Sequence, residues 1–315
     1  MKYIETFREG ERICDIYLCK VKQVAKTKAG KTYYSLVLQD KTGTIDAKVW
    51  ELTGGIAHFE ALDYIMVDAE VTSYQGNLQL NARRIRVARE GEYVPEDYLP
   101  MSEKDRGEMY RQLTAMIASV HTSCLRKLAE SFFVEDKEFV KNFCDHSAAK
   151  AVHHGFVGGL LEHTLSVMEL CEYFVSVYPY LNRDLLLCAA LFHDIGKTRE
   201  LSLFPENDYT DDGQLLGHIV MGAMMVGERI KTIPGFPNKT ASELIHCILA
   251  HHGELEYGSP KKPALAEALA LSLADNADAK LETMKETLSG AAQGEWLGYN
   301  RFFESNLRPT TRLPE

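Results

Sequence analysis

Five histidines stand where apolar helix faces would bury them, and this pattern limits what the chain can fold into more than any other feature. His163 shares a helical stripe with Leu160, Val167, Leu170 and Phe174, and His218 shares one with Leu215, Met221 and Met225. His251 and His252 follow Leu244 and Ile248. His193 stands beside Asp194 in residues 191–198, Leu-Phe-His-Asp-Ile-Gly-Lys-Thr, at the end of the apolar run 185–192. One buried histidine finds hydrogen-bond partners readily; five among such stripes do not, and metal ions satisfy them better. Neighbouring helix residues point about 100° apart, but Gly196 predicts a helix C-cap two residues on, where both His193 and Asp194 reach one ion. Asp275 repeats the argument from the acidic side. The helix predicted over 264–280 surrounds it with Ala268, Leu271 and Ala279, and no Lys or Arg precedes it there, so its charge needs a cation. Imidazole and carboxylate donors without thiolate favour manganese, iron, zinc or cobalt over a sulfur-held structural zinc.

Composition narrows the classes. A chain of 315 residues holds about two domains. Its longest apolar run is about eight residues, where a membrane span needs about 20, and the N-terminus lacks the apolar core of a signal peptide. A cytoplasmic protein without a membrane partner is expected. Seven cysteines (14, 19, 124, 144, 171, 188, 247), odd in number and without a CxxC pair, predict free thiols. The net charge of −10 opposes a nucleic-acid partner at face value. It is unevenly spread: Lys and Arg against Asp and Glu number 14 to 12 in residues 1–90 and 21 to 33 in the remainder.

Residues 11–90 predict five short strands. Over 31–39, Tyr34, Leu36 and Leu38 fall on one face and Tyr33, Ser35 and Gln39 on the other. After the turn Asp40-Lys41-Thr42-Gly43, Ile45, Ala47 and Val49 face inward, and Thr44, Asp46, Lys48 and Trp50 outward. Further strands are predicted at 63–72 and 78–87, and the set resembles an OB-fold barrel. The outward face offers Tyr33, Lys48 and Trp50, and the loop before it offers Lys20, Lys22, Lys26, Lys28 and Lys31. Aromatic rings stack bases and lysines attract phosphates, which is how such barrels hold single strands. The simpler alternative is that Trp50 packs under a loop while the lysines solubilise the surface.

Residues 91–105, with Pro95, Pro100 and several acids, predict a linker, which divides the chain into 1–90, 91–105 and 106–315. Ser102 with Asp105 reads as a capping box before Met109, Leu113, Met116, Ile117 and Val120 at helical spacing. Helices are also predicted at 123–133, 136–145 and 159–178. The aromatic stretch 294–303, with Trp296, Tyr299, Phe302 and Phe303, is expected to pack on the helical domain or on another subunit, which keeps a homo-oligomer open.

In order and spacing, Gly-Gly-Leu-Leu-Glu-His163-Thr-Leu, His193-Asp194, Gly-His218-Ile-Val-Met-Gly, Ala-His251-His252-Gly-Glu and Ala-Asp275-Asn-Ala-Asp278-Ala-Lys resemble the HD superfamily of metal-dependent phosphohydrolases. The resemblance implies an all-α domain in which His163, His193, Asp194 and Asp275 hold one divalent ion. His218, His251 and His252 would hold a second, with Asp194 bridging the two. Manganese is the first expectation, with iron, cobalt, zinc and magnesium behind it. The resemblance also implies that Lys197 points its ammonium at a substrate phosphate, so Asp194 and Lys197 are the catalytic candidates for hydrolysis by metal-activated water. His153 and His154, just before the first ligand, are placed to contact substrate or protonate the leaving oxygen, with a structural role as the alternative. An all-β OB-fold followed by an HD domain resembles the YhaM-type 3′-to-5′ exoribonucleases over nearly the whole chain. That implies single-stranded RNA, with DNA left open, as the substrate and nucleoside monophosphates as products. Two alternatives remain: a hydrolase of small or cyclic nucleotides, against which the basic, aromatic front weighs, and a non-catalytic single-stranded DNA-binding protein, against which the complete ligand set weighs.

Overall fold

The computed structural model describes residues 1–52, 54–150 and 154–311. The chain divides into two compact units, Met1–Glu103 with Ser202–Asp208, and Lys104–Leu201 with Tyr209–Glu315.

The first unit is a closed barrel of β1 (Arg12–Lys26), β2 (Thr32–Asp40), β3 (Gly43–Val49), β4 (Tyr64–Tyr74) and β5 (Asn77–Val87) in the order β1-β2-β3-β5-β4. Neighbours are antiparallel except β3 and β5, which run parallel. This is the five-stranded Greek-key barrel of the OB-fold. The predicted alternation builds it: Leu36, Leu38, Ile45, Ala47 and Val49 point into a core with Tyr17 and Phe59, each large apolar side chain contributing about 1.5–3 kcal/mol by burial.

Three expectations change here. Lys20, Lys22 and Lys26 lie on β1, not in a loop, because β1 pairs with β2 as far as Lys26 opposite Thr32. Lys22 is used internally, its ammonium on the Phe59 carbonyl and over the Tyr34 and Phe59 rings. Gln39, expected outward, is buried, and its Nε2 donates to the Tyr98 carbonyl at 3.0 Å. The covering chain comes from the supposed linker. Tyr93 stacks on Tyr64 at 4.0 Å, Tyr98 and Leu99 are buried, and Asp97 accepts from Tyr3 Oη and Lys41 Nζ. Much of 91–105 thus finishes the barrel, anchored by tyrosines that carry no periodic signal.

The second unit is helical: α1 (Arg106–Ala118), α2 (Ser123–Phe133), α3 (Lys137–Asp145), α4 (Gly159–Val177), α5 (Arg183–Phe192), α6 (Lys197–Glu200), α7 (Asp211–Ile230), α8 (Asn238–Ala250) and α9 (Ala266–Leu288). Asp105 itself caps α1, accepting from Glu108 N–H at 2.7 Å, so Ser102 is not the N-cap. α4 packs against α1, α3, α5 and α9, and α8 against α5, α7 and α9. The four segments that bear the five histidines therefore meet around one core shared by these helices. The C-terminal stretch forms a hairpin, β6 (Gly298–Asn300) with β7 (Ser305–Leu307), that leaves Trp296, Tyr299 and Phe302 mostly exposed. Those rings do not pack on the helical core. Among the described residues no helix is long and apolar enough to cross a membrane.

Candidate metal centre and nucleic-acid groove

α4 carries His163, α5 runs out at His193 and Asp194, and α7 carries His218 just after a kink. α8 runs out at His251 and His252, and α9 carries Asp275. Their donor atoms form two groups. In the first, His163 Nε2 lies 3.2 Å from His193 Nε2, 3.2 Å from Asp275 Oδ1 and 3.4 Å from Asp194 Oδ2. In the second, His218 Nε2 and His251 Nε2 lie 3.4 and 3.7 Å from Asp194 Oδ1, and His252 joins them with donor atoms within 4.8 Å of one another. Asp194 faces both groups, one oxygen to each.

The hydrogen bonds of the five rings fix which nitrogen is offered. Nδ1 donates to Asp278 in His163, to the Ala190 carbonyl in His193 and to Glu200 in His218. In His251 and His252 it donates to the carbonyls of Ile248 and Tyr257. Every Nε2 is thereby turned inward, away from the hydrogen bond that holds its ring. Among the described residues, Asp194 Oδ1, His218 Nε2 and His251 Nε2 are buried without a hydrogen-bond partner, each such atom costing about 1–3 kcal/mol. Donors about 2.0–2.2 Å from one ion stand about 3–3.5 Å apart, close to the separations seen here. The residues fit divalent ions of the kind that imidazole and carboxylate prefer.

Electrostatics point the same way. Burial disfavours charge on Asp194, but Lys197 and the imidazoles outweigh it and hold the carboxyl well below its usual range. Asp275 is also depressed, its burial outweighed by His163 and His193. Burial, with neighbouring histidines adding to it, pushes His251 well down and His252 down. His163 is the exception: burial opposes its charge, yet Asp194, Asp275 and Asp278 outweigh it and raise its pKa well above the usual value. A metal ion binding to His163 displaces that proton.

Lys197 puts Nζ 2.6 Å from Asp194 Oδ2; burial works against its charge, and Asp194 outweighs it, so the group stays an ammonium. Gly196 departs from expectation. Its φ of −62° is ordinary helix, and it precedes α6 instead of capping α5. A Cβ there would stand 2.0 Å from the His218 carbonyl oxygen, so glycine serves the close approach of α7 and not a left-handed turn. His154 is 1 % exposed, with Nε2 3.0 Å from Asp278 Oδ2, behind His163, a placement that fits the structural alternative and not a contact with substrate. His153 lies outside the described residues.

Sequence reasoning quoted Asp278 in the last motif without giving it a role, and missed Glu200 and Ser166; Asp278 and Glu200 hold His163 and His218 from behind, and Ser166 holds Asp278. A faint signal existed, since Asp278 lies one turn after Asp275 and Glu200 one turn after Lys197. Of the histidines set aside, His246 accepts from Ala264 N–H at 2.9 Å, and His146 is bound to Asn142 and the Leu201 carbonyl.

On the barrel, Tyr33, Lys48 and Trp50 line one open groove of about 440 Å³ together with Tyr74, Asn77 and Gln79. Tyr33 and Trp50 lie 4.6 Å apart, centroid to centroid, at 30°. Trp50 is 38 % exposed, so it does not pack under a loop. Lys48 donates to Ser35 Oγ at 2.6 Å, fixing its ammonium beside the rings. Tyr74, 61 % exposed at the β4–β5 turn, was missed, although an aromatic beside Gln-Gly-Asn was its signal. Lys28 and Lys31 stand exposed in and beside the β1–β2 turn and Lys26 at the end of β1, outside the groove; Lys31 reaches Glu51 at 3.9 Å.

Converging helix ends that present histidines and aspartates in two groups sharing one carboxylate define the class, and the HD domain family matches residues 160–280, from before His163 to beyond Asp275. The whole chain goes further. It is 36% identical over 301 residues to the 3′-5′ exoribonuclease YhaM of Geobacillus sp. (strain WCH70), covering 94% of this chain and 90% of the relative. It is 35% identical over 291 residues to the 3′-5′ exoribonuclease YhaM of Bacillus velezensis, covering 91% of each. The chain belongs to the YhaM 3′-5′ exoribonuclease family. Among solved structures, the second OB-fold domain of replication protein A from Methanococcus maripaludis aligns with 29% of this chain and 96% of that one, at 18% identity and a TM-score of 0.24. The barrel assignment rests on the strand order, not on that likeness.

Proposed function

We propose that this chain removes nucleoside monophosphates from the 3′ end of single-stranded RNA by metal-dependent hydrolysis. The observation that carries the reading is Asp194, whose two oxygens each face a separate group of inward-turned imidazoles, in a chain of the exoribonuclease family. His163, His193, Asp194 and Asp275 would hold one divalent ion, and His218, His251, His252 and Asp194 a second. Such ions, when bound, activate water and neutralise phosphate oxygens. Asp194 keeps the two groups in register, and buried carboxylates keep the histidines oriented for binding. Lys197 supplies an ammonium at the same carboxylate, placed to neutralise a phosphate oxygen. No side chain of the centre is a nucleophile that must form a covalent intermediate. Manganese is the metal we favour, because carboxylate oxygen and imidazole suit it and no thiolate enters either group.

The barrel groove supports a polymeric substrate: Tyr33, Trp50 and Tyr74 offer ring faces on which bases stack, with Lys48 beside them for the phosphate. Seven free cysteines suit the reducing cytoplasm. The test is purified protein incubated with end-labelled single-stranded RNA, single-stranded DNA and a panel of cyclic and linear nucleotides, across Mn, Mg, Co and Zn. RNA shortening with monophosphate release, strongest in Mn, is the expected result. Turnover of small nucleotides alone would replace the exonuclease reading with that of a small-nucleotide hydrolase.

A further inference from the structure

We propose that Asp278 and Glu200 are positioning residues that set the strength of the two metal groups separately, Asp278 through His163 and Glu200 through His218. The inference rests on the metal-centre reading above. Three of the five histidines anchor Nδ1 on a backbone carbonyl: His193 on Ala190, His251 on Ile248 and His252 on Tyr257. His163 and His218 anchor it on a carboxylate, and they fall one in each group. His163 Nδ1 lies 2.7 Å from Asp278 Oδ2, and His218 Nδ1 3.0 Å from Glu200 Oε1. A carboxylate accepts more strongly than a peptide carbonyl, so it fixes the Nδ1–H tautomer, aims Nε2 at the ion and makes that nitrogen a better donor to metal.

Both carboxylates are themselves held. Asp278 is buried, taking His154 Nε2 at 3.0 Å on the oxygen that faces His163 and Ser166 Oγ on the other. His154 is a non-glycine residue at φ 60°, a costly conformation that persists where its surroundings fix it. Glu200 Oε1 also takes the backbone N–H of His218 at 2.9 Å, so one oxygen sets both ring and main chain of that residue. Gly217, at φ 72°, makes the bend that turns the N–H toward it. A third ion among His154, His163 and Asp278, whose donor atoms also lie within 4.8 Å of one another, is the competing arrangement. It would need both nitrogens of His163 at once.

The experiment is calorimetric titration with Mn²⁺ of metal-stripped full-length wild type, Asp278→Asn, Glu200→Gln, His163→Ala, His218→Ala and the doubles Asp278→Asn/His163→Ala and Glu200→Gln/His218→Ala, with circular dichroism to check folding. Wild type should show two binding events per chain. Asp278→Asn should weaken one event by about 10–100-fold and Glu200→Gln the other by a similar factor. Each double should bind no more weakly than its histidine single, which a merely structural carboxylate would not produce. Undiminished affinity in the carboxylate singles, additive losses in the doubles, or a third binding event lost in Asp278→Asn would overturn the inference. Wild type that takes up no Mn²⁺ overturns the metal-centre reading with it; two wild-type events untouched by either carboxylate variant overturn this inference alone.

Discussion

Asp194 and Trp50 differ sharply in exposure, 2 % in the helical unit against 38 % in the barrel. Around Asp194 every ring is locked by a hydrogen bond on its far side, and Asp194 Oδ1, His218 Nε2 and His251 Nε2 face inward, buried without hydrogen-bond partners among the described residues. Around Trp50 the rings of Tyr33 and Tyr74 are held by strand geometry and packing, with solvent at their faces. A buried, preorganised centre cannot lose a shared ligand gradually, because the remaining donors were aimed at a position that ligand defines. An exposed platform loses affinity in steps, one ring or one charge at a time. The same chain therefore combines an all-or-none site with an additive one, and substitutions in the two should differ in kind.

The sharpest way to break that comparison is Asp194→Ala. Removing the shared carboxylate forfeits several kcal/mol of metal assistance, so turnover should fall by about three orders of magnitude or more, while filter binding of single-stranded RNA stays near wild type. Loss of both together would mean that the two regions are not separable. Next in size, Tyr33→Ala with Trp50→Ala should weaken binding of long single strands by about 1–3 kcal/mol per stacked base and leave Mn²⁺-dependent cleavage of a dinucleotide unchanged; steady-state kinetics on both substrates decide it. Lys197→Ala should cost about 1.5–3 kcal/mol of charged hydrogen bonding to phosphate, lowering turnover on long and short substrates alike, with metal content by elemental analysis unchanged. The smallest effect belongs to the exposed lysines. Replacing Lys26, Lys28 and Lys31 by Gln should flatten the log–log salt dependence of binding by about 0.7 for each phosphate that is no longer neutralised; an unaltered slope would remove them from the interface.

The two regions also differ in how far the sequence disclosed them. Barrel alternation was legible because period-two patterning maps directly onto facing: Leu36, Leu38, Ile45, Ala47 and Val49 all turn inward. The stretch after Val87 was not, since Tyr93, Tyr98 and Leu99 dock singly and leave no period. In the helical unit the residues that the structure groups around Asp194 stood out because polar side chains interrupted apolar stripes. Their supporting roles did not stand out: Asp278 meets His163 across 115 positions and Glu200 meets His218 across 18, and neither contact can be read within its own segment. Gly196 shows the same limit from the backbone side, its need set by the His218 carbonyl of another helix. His154 was recognised as part of the site, yet which side of His163 it occupies depends on a backbone conformation that no local pattern specifies.

The most direct test of the central claim is the order of label release from single-stranded RNA in Mn²⁺, comparing 3′-labelled with 5′-labelled copies of one strand for wild type and Asp194→Ala. The account predicts labelled mononucleotide from the 3′-labelled strand at the earliest times and a progressively shortening ladder from the 5′-labelled strand. Neither should appear with a chelator or with Asp194→Ala. Internal fragments, label released first from the 5′ end, or cleavage indifferent to the chelator and to Asp194 would contradict it.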